Sequence, residues 1–456
     1  MAAVSDDVAK ENGDKLEQPR SVPFWHPALK GVRSQVTRQW ALMVLFLSVF
    51  IMAILSLYWS ILFRVEHNMP SLKVWVVDFD GQVEPYRSQL TNAPLVGPIV
   101  TRVAADLIKS PYNQLGYTIR SPADFGYDPM AVRQSVYDEH AYAAIIVNPN
   151  ATALLQAAVA QGNTSYDPYG AGQIIILSAR DQNSYAAYVL PLLYNFNVAV
   201  SAAFGPAWAN RLAQDPSLNV SRVPQAVNPG IAFTFLDLRP FFPAVATPAV
   251  TIGLIYLIII SFFSFPFLMP IHTQYVTGDH PPLRFTHMIV WRIVSNIIAY
   301  FFLSLCYSLV SLAYQIPFSN PPAPPTEPAL NPNAYGKATF FIFWMLNWVG
   351  MAALGFPSEN MGMILGLPWN ALWLIFWVIT NVATGFYALD LAPGFFAWGY
   401  AWPLHHIVQA SRTILFDTHS RIGLDFGVLF AWVGLSIAIF PFSAMFMKWK
   451  KKRGWA

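Results

Sequence analysis

One cysteine, Cys306, stands in 456 residues, and only 11% of the chain is charged. A lone cysteine excludes a disulfide scaffold. The scarcity of charge excludes most soluble folds, which carry roughly 25% Asp, Glu, Lys and Arg. An excess of one sign is lacking too. Twenty-seven basic and 24 acidic residues leave a net +3, no field with which to hold a nucleic acid. Several chemistries are also missing. The single Gly-Lys pair, Gly336-Lys337, is followed by Ala338, and Asn331 stands where a phosphate loop needs its first glycine. No Gly-x-Ser-x-Gly, His-Glu-x-x-His or Cys-x-x-Cys occurs. A chain that is not an enzyme and carries no cofactor is expected, and any ATP hydrolysis would need a partner.

What is present is hydrophobic: 55% of the residues, with 15% of the chain aromatic and a mean hydropathy of +0.41. That composition also argues against disorder. Crossing about 30 Å of hydrocarbon takes roughly 20 apolar residues in a helix. Six uncharged stretches meet this: 40–63, 241–269, 293–318, 338–356, 368–389 and 426–447. The first holds fourteen Leu, Ile, Val and Phe, together about −4 to −8 kcal/mol of insertion free energy. The expected fold is an α-helical polytopic membrane protein with six transmembrane helices.

Basic residues near the ends of the spans set orientation. Lys30, Arg33 and Arg38 precede the first span, and Lys448, Lys450, Lys451, Lys452 and Arg453 follow the last. Both termini are therefore expected in the cytoplasm, which six crossings satisfy. Residues 1–39 read as a largely disordered cytoplasmic tail without a cleaved signal peptide, and 448–456 as a basic tail.

Residues 64–240 then form one extracytoplasmic domain between spans one and two. It holds 11 basic and 13 acidic residues, the make-up of a soluble fold, and is long enough to bury its own core. Apolar runs at 72–77, 143–147 and 173–177 read as strands, and 151–161 and 184–214 as helices, with Asn150 as a plausible cap. A mixed α/β sheet with helical cover is expected. Three glycosylation acceptors, at Asn150, Asn163 and Asn219, all fall here.

Among the connections, 270–287 carries His280, Arg284 and His287 and is a candidate cytoplasmic coupling loop. Residues 317–336, with seven prolines, read as an extended link. Ser358-Glu359-Asn360 reads as a tight cytoplasmic turn. Residues 390–425 are too polar to span and too aromatic for open water, so a re-entrant or interfacial segment is expected before the sixth helix. In it His405, His406 and His419 lack ligand spacing, while His406 with Asp417 suggests an acid–base pair; structural or interfacial roles are favoured. Asn296, Gln315, Asn347, Asn381 and Thr384, with His405, His406 and Arg412, are candidates to line a membrane path. Interhelical hydrogen bonding is the competing role for the polar residues inside spans. Gly362-x-x-x-Gly366 is a small-residue pair of the kind found at helix dimers.

Residues 248–263 (PAVTIGLIYLIIISFF), 344–361 (WMLNWVGMAALGFPSENM) and above all 373–423, with ITNVATGFYALDLAPGFFAWGYAWPLHHIVQASRTILFDTHSRIG, carry a family resemblance. So do VVDFDG at 76–81, AAIIVNPNATALL at 143–155 and SARDQ at 178–182. Over residues 40–447 the chain resembles the fungal nitrosoguanidine-resistance membrane proteins, grouped under a domain of unknown function. That family is similar in layout to type-2 ABC exporter permeases and to phage-infection-protein-like membrane proteins. The resemblance implies a plasma-membrane protein tied to resistance to toxic compounds, and no catalytic residue can be carried over. The expected function is transporter-like: efflux of toxic hydrophobic compounds, or lipid movement. The alternative is a non-transporting scaffold or sensor that acts through the exported domain. Membrane lipids, a second copy of the chain, or an unidentified membrane or ATPase partner are the expected contacts.

Overall fold

The computed structural model describes residues 21–90, 93–109, 113–215, 217–319, 324, 326–328 and 335–454. Residues 1–20 of the expected tail and most of the proline-rich link lie outside these. The chain divides into two units, 1–53 and 54–456. The first contains most of helix α1 (Lys30–Ser60), which opens inside the stretch read as tail. The Arg33 guanidinium covers the Phe24 and Trp25 rings at 5.5 and 5.1 Å.

The second unit has two large cores, besides a small cluster of Ile61, Ala392 and Phe396. One surrounds a five-stranded mixed sheet, ordered β2-β1-β3-β4-β5. Its strands are β1 (Lys73–Asp78), β2 (Gly116–Arg120), β3 (Ala143–Val147), β4 (Gly172–Ile176) and β5 (Phe233–Asp237). β1 lies parallel to both β2 and β3, β4 runs antiparallel to β3, and β5 is parallel to β4. β3 is buried throughout, which is why its sequence is continuously apolar instead of alternating.

Helices α2 (Val96–Ile108), α3 (Pro129–Tyr137) and α4 (Ala151–Gln161) alternate with the strands. Asp80, at the end of the Asp78-Phe79-Asp80-Gly81 turn, ties two of them together. Its carboxylate accepts from Gly97 N at 3.1 Å and Thr152 N at 2.9 Å, and from the Thr152 hydroxyl. Thr152 Oγ1 in turn accepts from Leu95 N and Val96 N at 2.9 and 3.0 Å. The acid thus satisfies backbone donors at the starts of α2 and α4, where negative charge is favoured. Asn150 makes no side-chain cap for α4; Asp80 has taken that role from across the sheet.

Helix α5 (Leu190–Ala213) continues a helical run from Gln182. Among the described residues that run is one of six long enough and apolar enough to cross a membrane. Its Leu193, Phe196, Val200, Phe204 and Trp208 are nevertheless buried in the sheet's core, with Phe196 stacked on Tyr117 at 5.3 Å. α5 is the cover of the α/β layer.

The other core is a helical body. It contains a broken run from 244 to 273 that includes α6 (Ile255–Phe262), then α7 (Phe285–Ala313), α8 (Thr339–Leu365), α9 (Asn370–Phe386), α10 (Pro403–Phe416) and α11 (Ile422–Lys452). The remaining long apolar runs are Pro27–Ser60, Ala244–Thr273, Phe285–Ala313, Gly336–Leu365 and Ile422–Lys452, while Asn370–Phe386 is a shorter apolar helix. The count of six matches the sequence expectation, but its membership differs by α5 for α9. α8 is the central post: every residue from Gly350 to Asn360 is buried.

Ser358-Glu359-Asn360 is therefore no turn. α8 runs through Pro357 and ends only at Gly366, whose φ of 72° and bond from its N–H to Gly362 O (2.9 Å) close the helix. Gly362 packs against Phe265 within the chain. Segment 390–425 contains a 3-10 stretch at Gly394–Ala401 and then α10, which is buried along most of its length.

Candidate functional site

The buried positions of α7 are Met288, Arg292, Asn296, Tyr300, Ser304 and Ser308, spaced four apart. Spacing of four follows one ridge of a helix, so five polar side chains line up along one side of an apolar helix. From 292 to 308 this polar seam is about 24 Å long at 1.5 Å per residue, most of a hydrocarbon thickness.

At one end Arg292 pairs with Glu359 of α8, and both side chains are at most 3% exposed. The Arg292 guanidinium also donates to Met363 Sδ at 2.9 Å and lies 4.9 Å from the Phe440 ring centre on α11. Glu359 Oε1 accepts from Ser264 Oγ at 2.9 Å, and Ser264 shares a 2.8 Å hydrogen bond with the Tyr300 hydroxyl. Ser264 opens a π-helical turn, Ser264–Leu268, around Pro266. Such turns are frequent at functional sites. Tyr300 reaches Ser264 only because position 355 is glycine: a Cβ there would overlap the tyrosine hydroxyl.

At the other end Asn347 Nδ2 donates to Ser308 Oγ at 2.9 Å, and Trp344 Nε1 to Ser304 Oγ at 3.2 Å. Between them sits Asn296. Among the described residues neither its Oδ1 nor its Nδ2 has a hydrogen-bond partner, nor do Asn347 Oδ1, Asn360 Oδ1 and Arg292 Nε. Each such buried polar atom costs about 1–3 kcal/mol. The seam is thus an expensive structure kept inside an apolar body.

The structure brings Asn296 and Asn347 together on this seam and puts other candidates elsewhere. Asn381 Oδ1 accepts from Leu404 N at 3.1 Å and caps the start of α10, and its Nδ2 donates to Trp377 O at 2.9 Å. His406 Nδ1 pairs with Asp425 Oδ1 at 2.8 Å, joining α10 to α11. The acid–base pairing of His406 with Asp417 is thereby corrected. Asp417 instead accepts from Arg239 Nη2 at 2.9 Å, at the seam between sheet and helices, with Glu327 on the far side of the guanidinium at 3.5 Å.

His405 and Arg412 line a cleft of about 280 Å³ with Glu139, Tyr142, Arg180, Asp181, Asp390 and Arg421. Burial raises the Tyr142 phenol well above its ordinary range, so it stays a donor and gives Asp390 Oδ2 a 2.7 Å hydrogen bond. Of the acceptor asparagines, Asn163 is exposed, Asn219 Nδ2 is bonded to Ala160 O at 2.9 Å, and Asn150 is half-buried. His280, Arg284 and His287 are all exposed. Hydrogen bonds to the carbonyls of Pro281 and Gln274 raise the His280 imidazole above its usual value. Among the described residues no group of three or more His, Cys, Asp or Glu is placed to hold a metal.

Sequence reasoning missed Arg292 and Glu359 because it used charges as span boundaries. The available signal was the four-residue spacing of Arg292, Asn296, Tyr300, Ser304 and Ser308.

Long apolar helices enclosing a sealed ion pair define an integral membrane protein. The family described as "Protein of unknown function (DUF3533)" matches residues 43–438, and the chain belongs to it. It is also 24% identical over 473 residues to "Uncharacterized endoplasmic reticulum membrane protein YJR015W" of Saccharomyces cerevisiae, covering 98% of this chain and 88% of that one. No solved structure matches.

Proposed function

We propose that this membrane protein is transporter-like and promotes the movement of lipids or toxic hydrophobic compounds along the seam between α7 and α8. The observation that carries the proposal is the Arg292–Glu359 pair one helical turn from the partnerless Asn296 amide. A charged side chain inside a membrane helix is costly, up to about 2.5–3.5 kcal/mol at the centre. A purely structural bundle avoids that cost with Leu. A row of polar groups held at that cost supplies hydrogen bonds to a polar headgroup that enters from lipid.

In this reading α1, the 244–273 run, α7, α8, α9 and α11 cross the bilayer, α5 stays on the sheet, and both termini face the cytoplasm. α9, with 17 residues, meets the lower limit of about 17 for a spanning helix. We assign the endoplasmic reticulum membrane, as the yeast relative's description has it, in place of the plasma membrane that the family resemblance implied. Energy would come from a separate ATPase engaging the exposed loop at His280, Arg284 and His287, by analogy with exporters. The test is reconstitution of the purified chain in liposomes carrying a fluorescent phospholipid or a hydrophobic dye. Movement faster than in empty liposomes is expected; no movement of either probe, with or without added ATPase, contradicts the proposal.

A further inference from the structure

The cleft between the sheet and α10 is distinct from the seam and has the chemistry of a binding site. Three guanidiniums face it, from Arg180, Arg412 and Arg421, against three carboxylates, from Glu139, Asp181 and Asp390. The formal charges cancel, but the hydrogen-bonding capacity does not. Asp181 is occupied by its own chain: Asn183 N at 3.2 Å, Ser184 N at 3.4 Å and Ser184 Oγ at 2.6 Å. Asp390 accepts from Tyr142 at 2.7 Å and Tyr400 at 3.5 Å.

Arg180 is fixed by a 3.1 Å hydrogen bond to Ala141 O and by the Tyr142 ring at 3.8 Å, but the ion pairs of the guanidiniums are long. Arg180 stands 3.9 Å from Asp390, Arg412 3.8 Å from Asp181 and Arg421 3.3 Å from Glu139. Arg412 donates to Arg180 O at 2.5 Å and to Gln182 Oε1 at 3.3 Å. Its side chain is 3% exposed, and among the described residues its Nε has no partner, nor does Gln182 Nε2 beside it. Asp181 and Asp390 are thus engaged by their own chain, among the described residues Glu139 meets only Arg421, and donors remain on Arg412 and Gln182, so the cleft suits a ligand that accepts. An oxyanion with several oxygens matches guanidinium forks.

Volume and access narrow the ligand further. About 280 Å³ is just below the roughly 300–1,000 Å³ of drug-sized sites, and so has the scale of a headgroup. A neighbouring cavity of about 140 Å³ shares Glu139, Tyr400, His405, Gln409 and Arg421 with it and reaches Leu424 and Val428 on α11. Leu424 is exposed on that apolar helix, so the cleft communicates with the surface that the membrane body turns outward. We propose that this cleft binds an organic phosphate, through Arg412 and Arg421, supplied either as the headgroup of a phospholipid or as a soluble phosphate ester. Binding here is an equilibrium property and needs no movement along the seam.

The experiment is a binding titration of the full-length chain in detergent with dioleoylphosphatidate and, separately, glycerol 3-phosphate; dioleoylglycerol is the phosphate-free control. Saturable binding of dioleoylphosphatidate alone identifies a lipid source, and binding of glycerol 3-phosphate identifies the soluble one. Arg412→Gln removes a charge-assisted donor, so about 10- to 100-fold weaker binding is expected. Arg421→Gln, at a side chain 56% exposed, leaves the buried structure alone and should weaken binding several-fold. Failure of both phosphate probes to bind, dioleoylglycerol binding as well as they do, or Arg421→Gln binding at wild-type strength would each overturn the proposal.

Discussion

Replacing Glu359 with Ala tests the energetics of the seam. The pair it forms with Arg292 is almost fully buried, and its other oxygen accepts from Ser264. Removing one partner of such a pair leaves the other charge uncompensated and costs about 3–5 kcal/mol. Exchanging both for apolar residues of similar size is often neutral, or stabilising by about 1–4 kcal/mol. The double variant Arg292→Met/Glu359→Leu should therefore recover most of the stability that Glu359→Ala loses. The assay is reversible unfolding in mixed micelles at fixed lipid content, each variant read against wild type. A Glu359→Ala variant within about 0.5 kcal/mol of wild type, the range of ordinary surface changes, would refute the burial argument. A double variant as unstable as the single one would refute the assignment of the cost to the unpaired charge.

Three further outcomes follow from other parts of the fold. Gly355→Ala pushes a methyl group into the Tyr300 hydroxyl and should destabilise by about 1–3 kcal/mol, as overpacking does; Tyr300→Phe in the same background should return part of that loss. Burial raises the Asp78 carboxyl to about 6, and Asp80 shifts in the same direction. A carboxyl raised on folding binds its proton more tightly in the native state. It therefore contributes stability below its unfolded value near 3.9 that is lost as pH climbs through about 6. Asp78→Asn should flatten the fall in melting temperature between pH 4 and pH 6 (about one unit either side of that midpoint range), and an unchanged slope would contradict the shift. If the sheet domain faces the lumen, Asn163 should carry glycan, because its amide is exposed while Asn219 Nδ2 is hydrogen-bonded; an endoglycosidase mobility shift abolished by Asn163→Gln checks this.

The strands β1, β3 and β4 could be read from sequence because each is a short apolar run bounded by turn residues. β2 was hidden: Gly116–Arg120 has one buried residue, two half-buried and two exposed, and so lacks an apolar run. β5, FTFLD, was hidden for a similar reason. α5, read from sequence as a helix of the α/β domain, is also long and apolar enough to span a membrane, with Val198 exposed on its outward face; Phe196 and Tyr194 stack on Tyr117 and Phe235 of the sheet.

The seam illustrates the sharper difficulty. Counting uncharged residues placed Arg292 and Glu359 at the ends of two different spans. In the fold these two charges neutralise each other inside the helical body, and both helices extend past them. A one-dimensional count cannot register pairing across 67 residues of chain. His406 shows the same limit. Asp417 is nearer along the chain than Asp425, but α10 ends at Phe416 and turns Asp417 toward Arg239, while the first turn of α11 returns Asp425 to the imidazole.

The most direct measurement of the seam's role is phospholipid movement in proteoliposomes containing either wild type or the stable Arg292→Met/Glu359→Leu variant. With equal reconstituted protein, wild type should move the fluorescent lipid, and the double variant, folded but stripped of its intramembrane charges, should fall to the rate of empty liposomes. Equal rates for the two proteins would contradict the account and leave the pair with a structural role alone.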